Sequence, residues 1–503
     1  MSKVMLINPP GKCLIRTDGS IAERKHCTPP LGLAYLAAAC ERYGHEVAIL
    51  DLLAEGYDQE RIDGHFVVYG LTAEQAIERI RAFNPDLLGF SLLFSHLASE
   101  CFKLIEAVRA AFPRIPIVLG GHHPSAMPVR MLEHPAIDYV LVGEADVSLP
   151  ILVEVLAGKT RIDHVPGLFC LNGTTLIQQP VYKGKDYAYY TRSNGPNPNE
   201  ISDLPHPAWH LLDLRRYWAT DVRMGGGSVM REKCMVMVGS RGCPHACTFC
   251  TSPLMGGYRG YRQRTVADIC AEIRWLKDIY GVDEIQFLDD NFFVNPQRVK
   301  QLLRSLAFAF PGMVFSVPAG AEANALDDDM LDLMAQAGFY RVVLAVESGN
   351  PTIQAGQIDK KVDLDRVPAL VRKAREVGLE VRGYFMIGFP GESRESILAT
   401  AEYAQSLDLD DFALSVVTPL PGTPLFDKCV EEGLLVDGFD PDCIRYSVGN
   451  IRLPDMTAEE VEEVRVKVWR EHKRKVPKRR DAYRTFRSVR EFSNSGFKIK
   501  KEA

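Results

Sequence analysis

The sequence has no run of 18 or more uncharged apolar residues, and its start, MSKVMLINPPGK, carries no basic region followed by a long apolar stretch. Both absences argue against membrane spanning and against secretion. No close internal repeat and no low-complexity segment occurs, so the length has to be filled by distinct folded units. Cysteine is sparse, with 12 scattered over 503 residues apart from one tight group, which does not match the dense disulfide framework of a small secreted domain. A reducing cytoplasm is the expected setting, and the tight group of cysteines becomes the first suspect for chemistry.

A chain of 503 residues is too long for one hydrophobic core, so two or three domains are expected. Apolar residues make up 46% and charged residues 25%, with a mean hydropathy of -0.08, the composition of a soluble globular protein. Charge is unevenly spread. The net charge is -6, yet Arg465 to Ala503 holds 15 Lys and Arg against 4 Asp and Glu. Such a tail reads either as a basic arm for an anionic partner, including an acidic lipid surface, or as a solvated helix with a frayed end.

Short β-branched runs alternate with helical periodicity in residues 1–160, the pattern of a parallel sheet covered by helices. Strands are expected at Val4–Ile7, Glu46–Leu50, Leu87–Ser91, Ile117–Leu119 and Tyr139–Val142, with helices near 32–43, 72–83, 96–112 and 146–157. This predicts an α/β, Rossmann- or flavodoxin-like domain with ligands beyond the carboxyl ends of its strands. Residues 161–230 read as a small hairpin around Val165–Leu168 and Asn172-Gly173, then an Asn- and Pro-rich linker over Asn194–Pro207. Over 231–425 six further strand-helix repeats start at Met235, Glu284, Val314, Arg341, Val381 and Phe412, a partial (β/α)6 barrel. Residues 426–503 are expected to be a helical cap, in which Thr457-Ala-Glu-Glu460 has the form of a capping box opening a helix to Lys473.

The sharpest chemical signal is Arg241-Gly-Cys-Pro-His-Ala-Cys-Thr-Phe-Cys250, which sets Cys243, Cys247 and Cys250 in C-x-x-x-C-x-x-C spacing directly after the first barrel strand. Three thiolates on one loop can hold three corners of a 4Fe-4S cluster and leave the fourth iron open to substrate or cofactor. A zinc site, completed by a ligand such as His245, and unbound thiols are the competing readings. Cys234, among apolar strand neighbours, reads as structural.

The loop resembles the signature of the radical SAM superfamily, and the resemblance spans about Cys234–Pro424. It implies that the open iron chelates S-adenosylmethionine, whose reductive cleavage gives a 5'-deoxyadenosyl radical that abstracts hydrogen from substrate. It further implies that Phe249 lies near the adenine, that Asp289 and Asp290 lie near the methionine end, that Glu347 and Ser348 meet the methionyl amine or ribose, and that the backbone at Gly388 in Gly383-Tyr-Phe-Met-Ile-Gly388-Phe-Pro-Gly-Glu392 approaches adenine.

The first domain resembles cobalamin-binding domains at Ser91-Leu92-Leu93 and Gly120-Gly121. Their D-x-H-x-x-G element, with the histidine that binds cobalt, is absent after the first strand. Asp63-Gly64-His65 is a fragment of it in the wrong place, with Val68 where the glycine belongs. The expected state is base-off cobalamin without a protein histidine ligand. His122 and His123 are candidates for the corrin edge, Cys13 and Cys27 lie on the first-strand loop, and Gly143-Glu144 is a further family element.

Across both domains the chain is similar to cobalamin-dependent radical SAM enzymes of the methyltransferase type, and this implies methylation of an unactivated carbon through methylcobalamin and the deoxyadenosyl radical. A radical cyclase, rearrangement, epimerisation or carbon-carbon coupling enzyme is the runner-up, and a cobalamin sensor with a degenerate barrel the third reading. Expected partners are a small-molecule, lipid or peptide substrate and an electron donor such as flavodoxin or ferredoxin, with peripheral membrane contact through the basic tail as an option and no nucleic acid. Substrate residues are not assigned, although Arg445, Tyr446 and Trp469 are within reach of such a role.

Overall fold

The protein was analysed as a computed structural model described over residues 1–15, 25–179, 201–220, 229–253, 260–441, 444 and 448–475. Among the described residues ten strands occupy the first part: β1 (Lys3–Asn8), β2 (Gly11–Leu14), β3 (Glu46–Asp51), β4 (Glu60–Asp63), β5 (Phe66–Tyr69), β6 (Leu87–Ser91), β7 (Ile117–Gly120), β8 (Tyr139–Leu141), β9 (Leu168–Asn172) and β10 (Thr175–Gln178). The main sheet runs β10-β9-β8-β7-β6-β1-β3, and its members β3, β1, β6, β7 and β8 are parallel. Counting only these parallel strands, the order is 2-1-3-4-5, flavodoxin-like, with the topological switch between β1 and β6. Both faces are covered by helices, which is why the strands are almost continuously apolar: Val4, Leu6, Ile7, Leu88, Ile117, Leu119 and Val140 are all at or near zero exposure.

The hairpin expected near residue 170 is β9–β10, turning at Gly173 (φ +59°), and it pairs antiparallel onto β8, so the first sheet continues to Gln178. In Asp63-Gly64-His65, Gly64 and His65 form a two-residue hairpin turn after Asp63, the last residue of β4. Gly64 sits at φ +59° between β4 and β5, which form a three-stranded antiparallel sheet with β2 that the periodicity did not predict. Of the segment read as a linker, residues 194–200 lie outside the described residues, while its continuation is docked. Trp209 and Tyr217 are buried, and the Tyr217 hydroxyl donates to Asp51 Oδ2 at 2.6 Å. Aromatic and apolar residues at 209, 214 and 217 give that stretch a surface to bury, which a Pro-rich composition conceals.

The second part contains β11 (Cys234–Met237), β12 (Ser240–Arg241), β13 (Arg262–Gln263), β14 (Glu284–Phe287), β15 (Val314–Ser316), β16 (Arg341–Glu347), β17 (Glu380–Ile387) and β18 (Asp411–Val416). Two parallel triplets, β11-β14-β15 and β16-β17-β18, are joined by bridges at Phe315–Phe339 and Ala321–Leu344, giving six barrel strands in sequence order. Along β17 burial alternates residue by residue, Val381, Phe385 and Ile387 facing the helices and Arg382, Tyr384 and Met386 the lumen. The crossover helices start where their caps dictate: Thr265, Asn295, Asp327 and Ser393 each accept a hydrogen bond from the backbone N–H three residues on. Such caps fix where each strand-following loop ends and therefore how much chain is left at the barrel mouth.

The C-terminal helix, Ala458–Lys475, opens with the expected capping box: Glu460 N–H donates to Thr457 Oγ1 (3.2 Å) and Thr457 N–H to Glu460 Oε2 (2.9 Å). Its start lies at the mouth, with Val461 beside Gly388, and its far end reaches the beginning of β18, where His472 packs on Phe412 at 4.4 Å between ring centroids. Arg445, Tyr446 and the basic tail beyond 475 lie outside the described residues; Trp469 is on this helix and 47% exposed. Among the described residues no helix is long and apolar enough to cross a membrane.

Candidate functional site

The cysteine loop leaves the barrel through a short two-strand neck. β12 and β13 pair antiparallel with Arg241 opposite Arg262, and Gly242 turns at φ +77°, where a Cβ would fall 2.7 Å from Gly260 O. Beyond the neck the loop is held from three sides. Gly242 N–H donates to Asp290 Oδ2 at 2.9 Å, Thr248 N–H to Ile358 O at 3.1 Å, and Leu425 N–H to Thr248 O at 3.0 Å. Cys243, Cys247 and Cys250 are half-buried.

Each sulfur has a polar or charged neighbour. Asn291 Nδ2 lies 3.8 Å from Cys243 Sγ, the Ser252 N–H 3.4 Å from Cys250 Sγ, and the Lys360 ammonium acts on Cys247 through its charge. Burial nevertheless pushes the Cys247 thiol up to about 12 and raises that of Cys243, so metal loading must displace protons. Among the described residues no three His, Cys, Asp or Glu side chains converge on a point that one ion could occupy, and His245 Nε2 is 2.8 Å from Glu322 Oε2. A cluster that takes one thiolate on each of three irons suits separated, hydrogen-bonded sulfurs better than a single zinc ion does.

Around this loop the expected residues divide. Phe249 packs edge-on to Phe389 at 6.3 Å between centroids, bringing the cysteine loop to the Gly383–Glu392 motif. There Gly388 (φ +90°) and Phe389 both donate their N–H to Glu392 Oε2, at 2.7 and 2.9 Å. Glu347 stands at φ +69° on a bulge of β16, a conformation rare for a side chain of its size, and bonds Lys360 Nζ at 2.9 Å. Burial works against the Lys360 charge, but the Glu347 carboxylate overrides it and lifts the ammonium above its ordinary range.

Asp289 and Ser348 are placed differently. Asp289 is fully buried, accepting from Ser240 Oγ (2.5 Å) and Gly239 N–H (2.9 Å), and burial pushes its carboxyl up to about 6. Ser348 is equally buried, with its Oγ 3.1 Å from Thr400 Oγ1. Both hold backbone beneath the mouth, while Asp290 binds the cysteine loop itself through Gly242 and through Ser252 Oγ at 2.7 Å.

On the first domain, the loops after β6, β7 and β8 gather at one edge. Gly121 (φ +119°) presses on Leu92, where a Cβ would meet the carbonyl oxygen at 2.5 Å; at Gly120 the nearest atom to a Cβ is Leu141 O at 3.8 Å, so that position is a groove floor. Ser125 ties the loops together, donating to Gly121 O at 2.7 Å and accepting from Gly143 N–H at 3.0 Å. Ser91 is half-buried, and Leu93 and Phe94 are 45% and 43% exposed at the strand end, an apolar shelf suited to a flat macrocycle. Cys13 and Cys27 are buried, as is Cys234, whose Sγ lies 3.8 Å from Met235 O. His123 Nδ1 contacts Ser95 Oγ at 2.9 Å.

The two edges meet. His122 Nδ1 lies 3.4 Å from Oγ1 of Thr251, the residue after the last cysteine, and burial lowers the His122 pKa. Glu144 bonds Arg241 and Arg262 on the neck of the cysteine loop. Residues 18–153 match a family model described as B12 binding domain, and residues 237–404 match the Radical SAM superfamily. The chain is 31% identical over 489 residues to cytidylyl-2-hydroxyethylphosphonate methyltransferase of Streptomyces wedmorensis, covering 92% of this chain and 89% of the relative. The chain belongs to the cobalamin-dependent radical SAM enzymes.

A second member of this family, an uncharacterised methyltransferase of Pyrococcus horikoshii, is 30% identical over 438 residues, 86% of this chain and 84% of that one. Among solved structures, the radical SAM methyltransferase TsrM from Kitasatospora setae, with cobalamin and a [4Fe-4S] cluster bound, superposes with a TM-score of 0.69 at 20% identity over 93% of this chain and 91% of its own, which establishes the shared fold. The cofactors of the family are cobalamin, S-adenosylmethionine and the iron-sulfur cluster. Sequence reasoning passed over Lys360, Glu322 and His96. Lys360 follows a π-helical turn, Gln354–Ile358, that carries no spacing signal. His96, pushed down to about 4 by burial, lies just after β6 beside the switch point, and its sequence context marked only a helix start.

Proposed function

We propose that this enzyme methylates an unactivated carbon of a small molecule. The observation that carries the reading is the 3.4 Å contact of His122 with Thr251: the groove expected to take cobalamin opens onto the loop expected to hold the cluster, so one substrate can face both. When bound, the cluster and S-adenosylmethionine supply the hydrogen-abstracting deoxyadenosyl radical and cobalamin supplies the methyl group.

The chain's own residues then have distinct work. Cys243, Cys247 and Cys250 would hold the cluster, with Asn291 and the Ser252 N–H donating to sulfur and stabilising the ligating thiolates. Phe249 and the Gly388 backbone would flank the adenine, and Glu347, oriented by Lys360, would bind the methionyl end. On the first domain Ser91, Leu93, Gly120, Gly121, His122 and Gly143 would cradle the corrin and its nucleotide tail. No protein histidine would meet a bound cobalamin from the end of β1, where Asn8 is bonded to Asp51 and Pro9-Pro10 lead straight into β2. An electron donor of the flavodoxin or ferredoxin type would supply the electrons.

The test is anaerobic purification with cobalamin supplied, with iron, sulfide and a visible spectrum measured for the wild type and for the Cys243→Ala, Cys247→Ala, Cys250→Ala triple variant, followed by turnover with methyl-labelled S-adenosylmethionine. Cobalamin in both proteins, a cluster only in the wild type, and label on a carbon of the product are expected. Deoxyadenosine formed with an accepted substrate but without methylated product would overturn methylation and favour a radical rearrangement or coupling.

A further inference from the structure

Glu144 entered as an expected cofactor contact, and the structure gives it different partners. Its carboxylate lies between two guanidinium groups: Arg241 Nη1 at 3.1 Å from Oε2, and Arg262 on Oε1. Asp146, two residues on, takes Arg241 with both oxygens, at 2.7 and 3.2 Å. The ring of Tyr35, on the first helix, lies 4.7 Å from the Arg241 guanidinium carbon and closes its remaining face. All four charged side chains are at most 15% exposed, so this is a buried, charge-balanced quartet and not a surface ion pair.

Where the quartet sits gives it meaning. Arg241 and Arg262 face each other across the β12–β13 ladder, and everything between them, residues 242–261, is the loop that carries the three cysteines. Both acids belong to the loop after β8 of the first domain, whose Gly143 N–H is tied through Ser125 to the carbonyl of Gly121 in the cobalamin groove. The neck of the cysteine loop is thus fastened by the same short segment that helps to shape that groove. On its far side the loop touches the groove again, through Thr251 and His122.

We infer that Glu144 and Asp146 are positioning residues for the cluster loop, and that the cobalamin-binding domain is thereby a structural part of the cluster site. The two sites are coupled. A ligand that fixes the loops after β7 and β8 also fixes the neck of the cysteine loop, and an assembled cluster in turn favours the groove's bound form, because coupling of two binding equilibria is reciprocal. This deepens the function proposed above and rests on the cysteine triad holding a cluster.

The test follows iron loss to a chelator under anaerobic conditions, together with the electron paramagnetic resonance spectrum of the reduced cluster, in the full-length reconstituted protein. Glu144→Gln and Asp146→Asn preserve shape and remove one charge each; Asp51→Asn, at the buried Asp51–Tyr217 contact between the first domain and the segment that follows it, is the control for general loosening. Iron loss about tenfold faster in Glu144→Gln and Asp146→Asn than in the wild type, the size usual for supporting partners of metal ligands, is expected, with an altered spectrum and Asp51→Asn unchanged. Loading the wild type with cobalamin should slow iron loss by about fivefold.

Wild-type rates in Glu144→Gln, or equal acceleration in Asp51→Asn, would overturn the inference while leaving the cluster itself intact. If the quartet variants do not fold, the wild type decides alone: identical rates with and without cobalamin overturn it. A wild type that takes up no iron at all fails the earlier reading, and this one with it.

Discussion

Asp289 offers a test in which the structure fixes the sign as well as the size. Its carboxylate is fully buried beneath the cysteine loop and accepts two hydrogen bonds, yet burial outweighs them and lifts its pKa from 3.8 to about 6. A carboxyl whose folded pKa is raised binds its proton more tightly in the folded chain, so it favours folding at low pH and disfavours it once ionised. At 1.36 kcal/mol per unit, the shift of roughly two units amounts to about 3 kcal/mol of destabilisation above pH 7, shrinking to about 1 kcal/mol near pH 4.5. Asp289→Asn keeps the shape and an acceptor for Gly239 N–H but removes the charge. The stability of the variant relative to wild type should therefore rise by about 2 kcal/mol between about pH 4.5 and pH 7.5, whatever constant offset the altered bond to Ser240 introduces. Paired urea unfolding curves across that window measure it, and groups unchanged by the substitution, such as His96, cancel in the difference. A difference that is flat with pH would refute the claim that desolvation dominates at this site.

Three other expectations follow from the same geometry. Gly120→Ala places a methyl on the groove floor in ordinary contact and should leave thermal stability near wild type while reducing cobalamin retention on gel filtration; full retention would remove Gly120 from the groove. Gly121→Ala drives a Cβ to 2.5 Å from the Leu92 carbonyl at φ +119° and should cost at least about 1–3 kcal/mol in strain, read as a lowered melting temperature. Lys360→Met strips the buried partner from Glu347 and should destabilise the barrel by about 3 kcal/mol and weaken S-adenosylmethionine binding in calorimetry, whereas unchanged binding would place Glu347 outside that site.

The legible parts of the molecule were those written in local chemistry. Short β-branched runs set between stretches of helical periodicity marked five strands of the first sheet and all six of the barrel, and the Thr457 capping box fell where a serine or threonine three residues ahead of a glutamate predicts. Cys243, Cys247 and Cys250 were legible as candidates because three cysteines set on one turn must be close in sequence. Harder to read were elements whose partners are distant: β2 finds β5 across more than fifty residues, and only the Gly64 turn between β4 and β5 leaves a local trace.

The same limit explains why Asp289, Ser348 and Glu144 looked alike as polar residues following strands. A carboxylate after a strand can face a ligand, cap a turn or meet a cation from another domain, and sequence position does not distinguish these outcomes. The deciding quantity is what lies within about 3 Å of its oxygens: a backbone N–H and a serine hydroxyl for Asp289, two arginines for Glu144, and for Glu347 a lysine that follows a π-helical turn. The contacts that align the two domains are made by pairs far apart in the chain, such as Glu144 with Arg241 and His122 with Thr251. The cysteine motif can therefore be read from one segment, but its orientation toward the first domain emerges only when both segments have folded against each other.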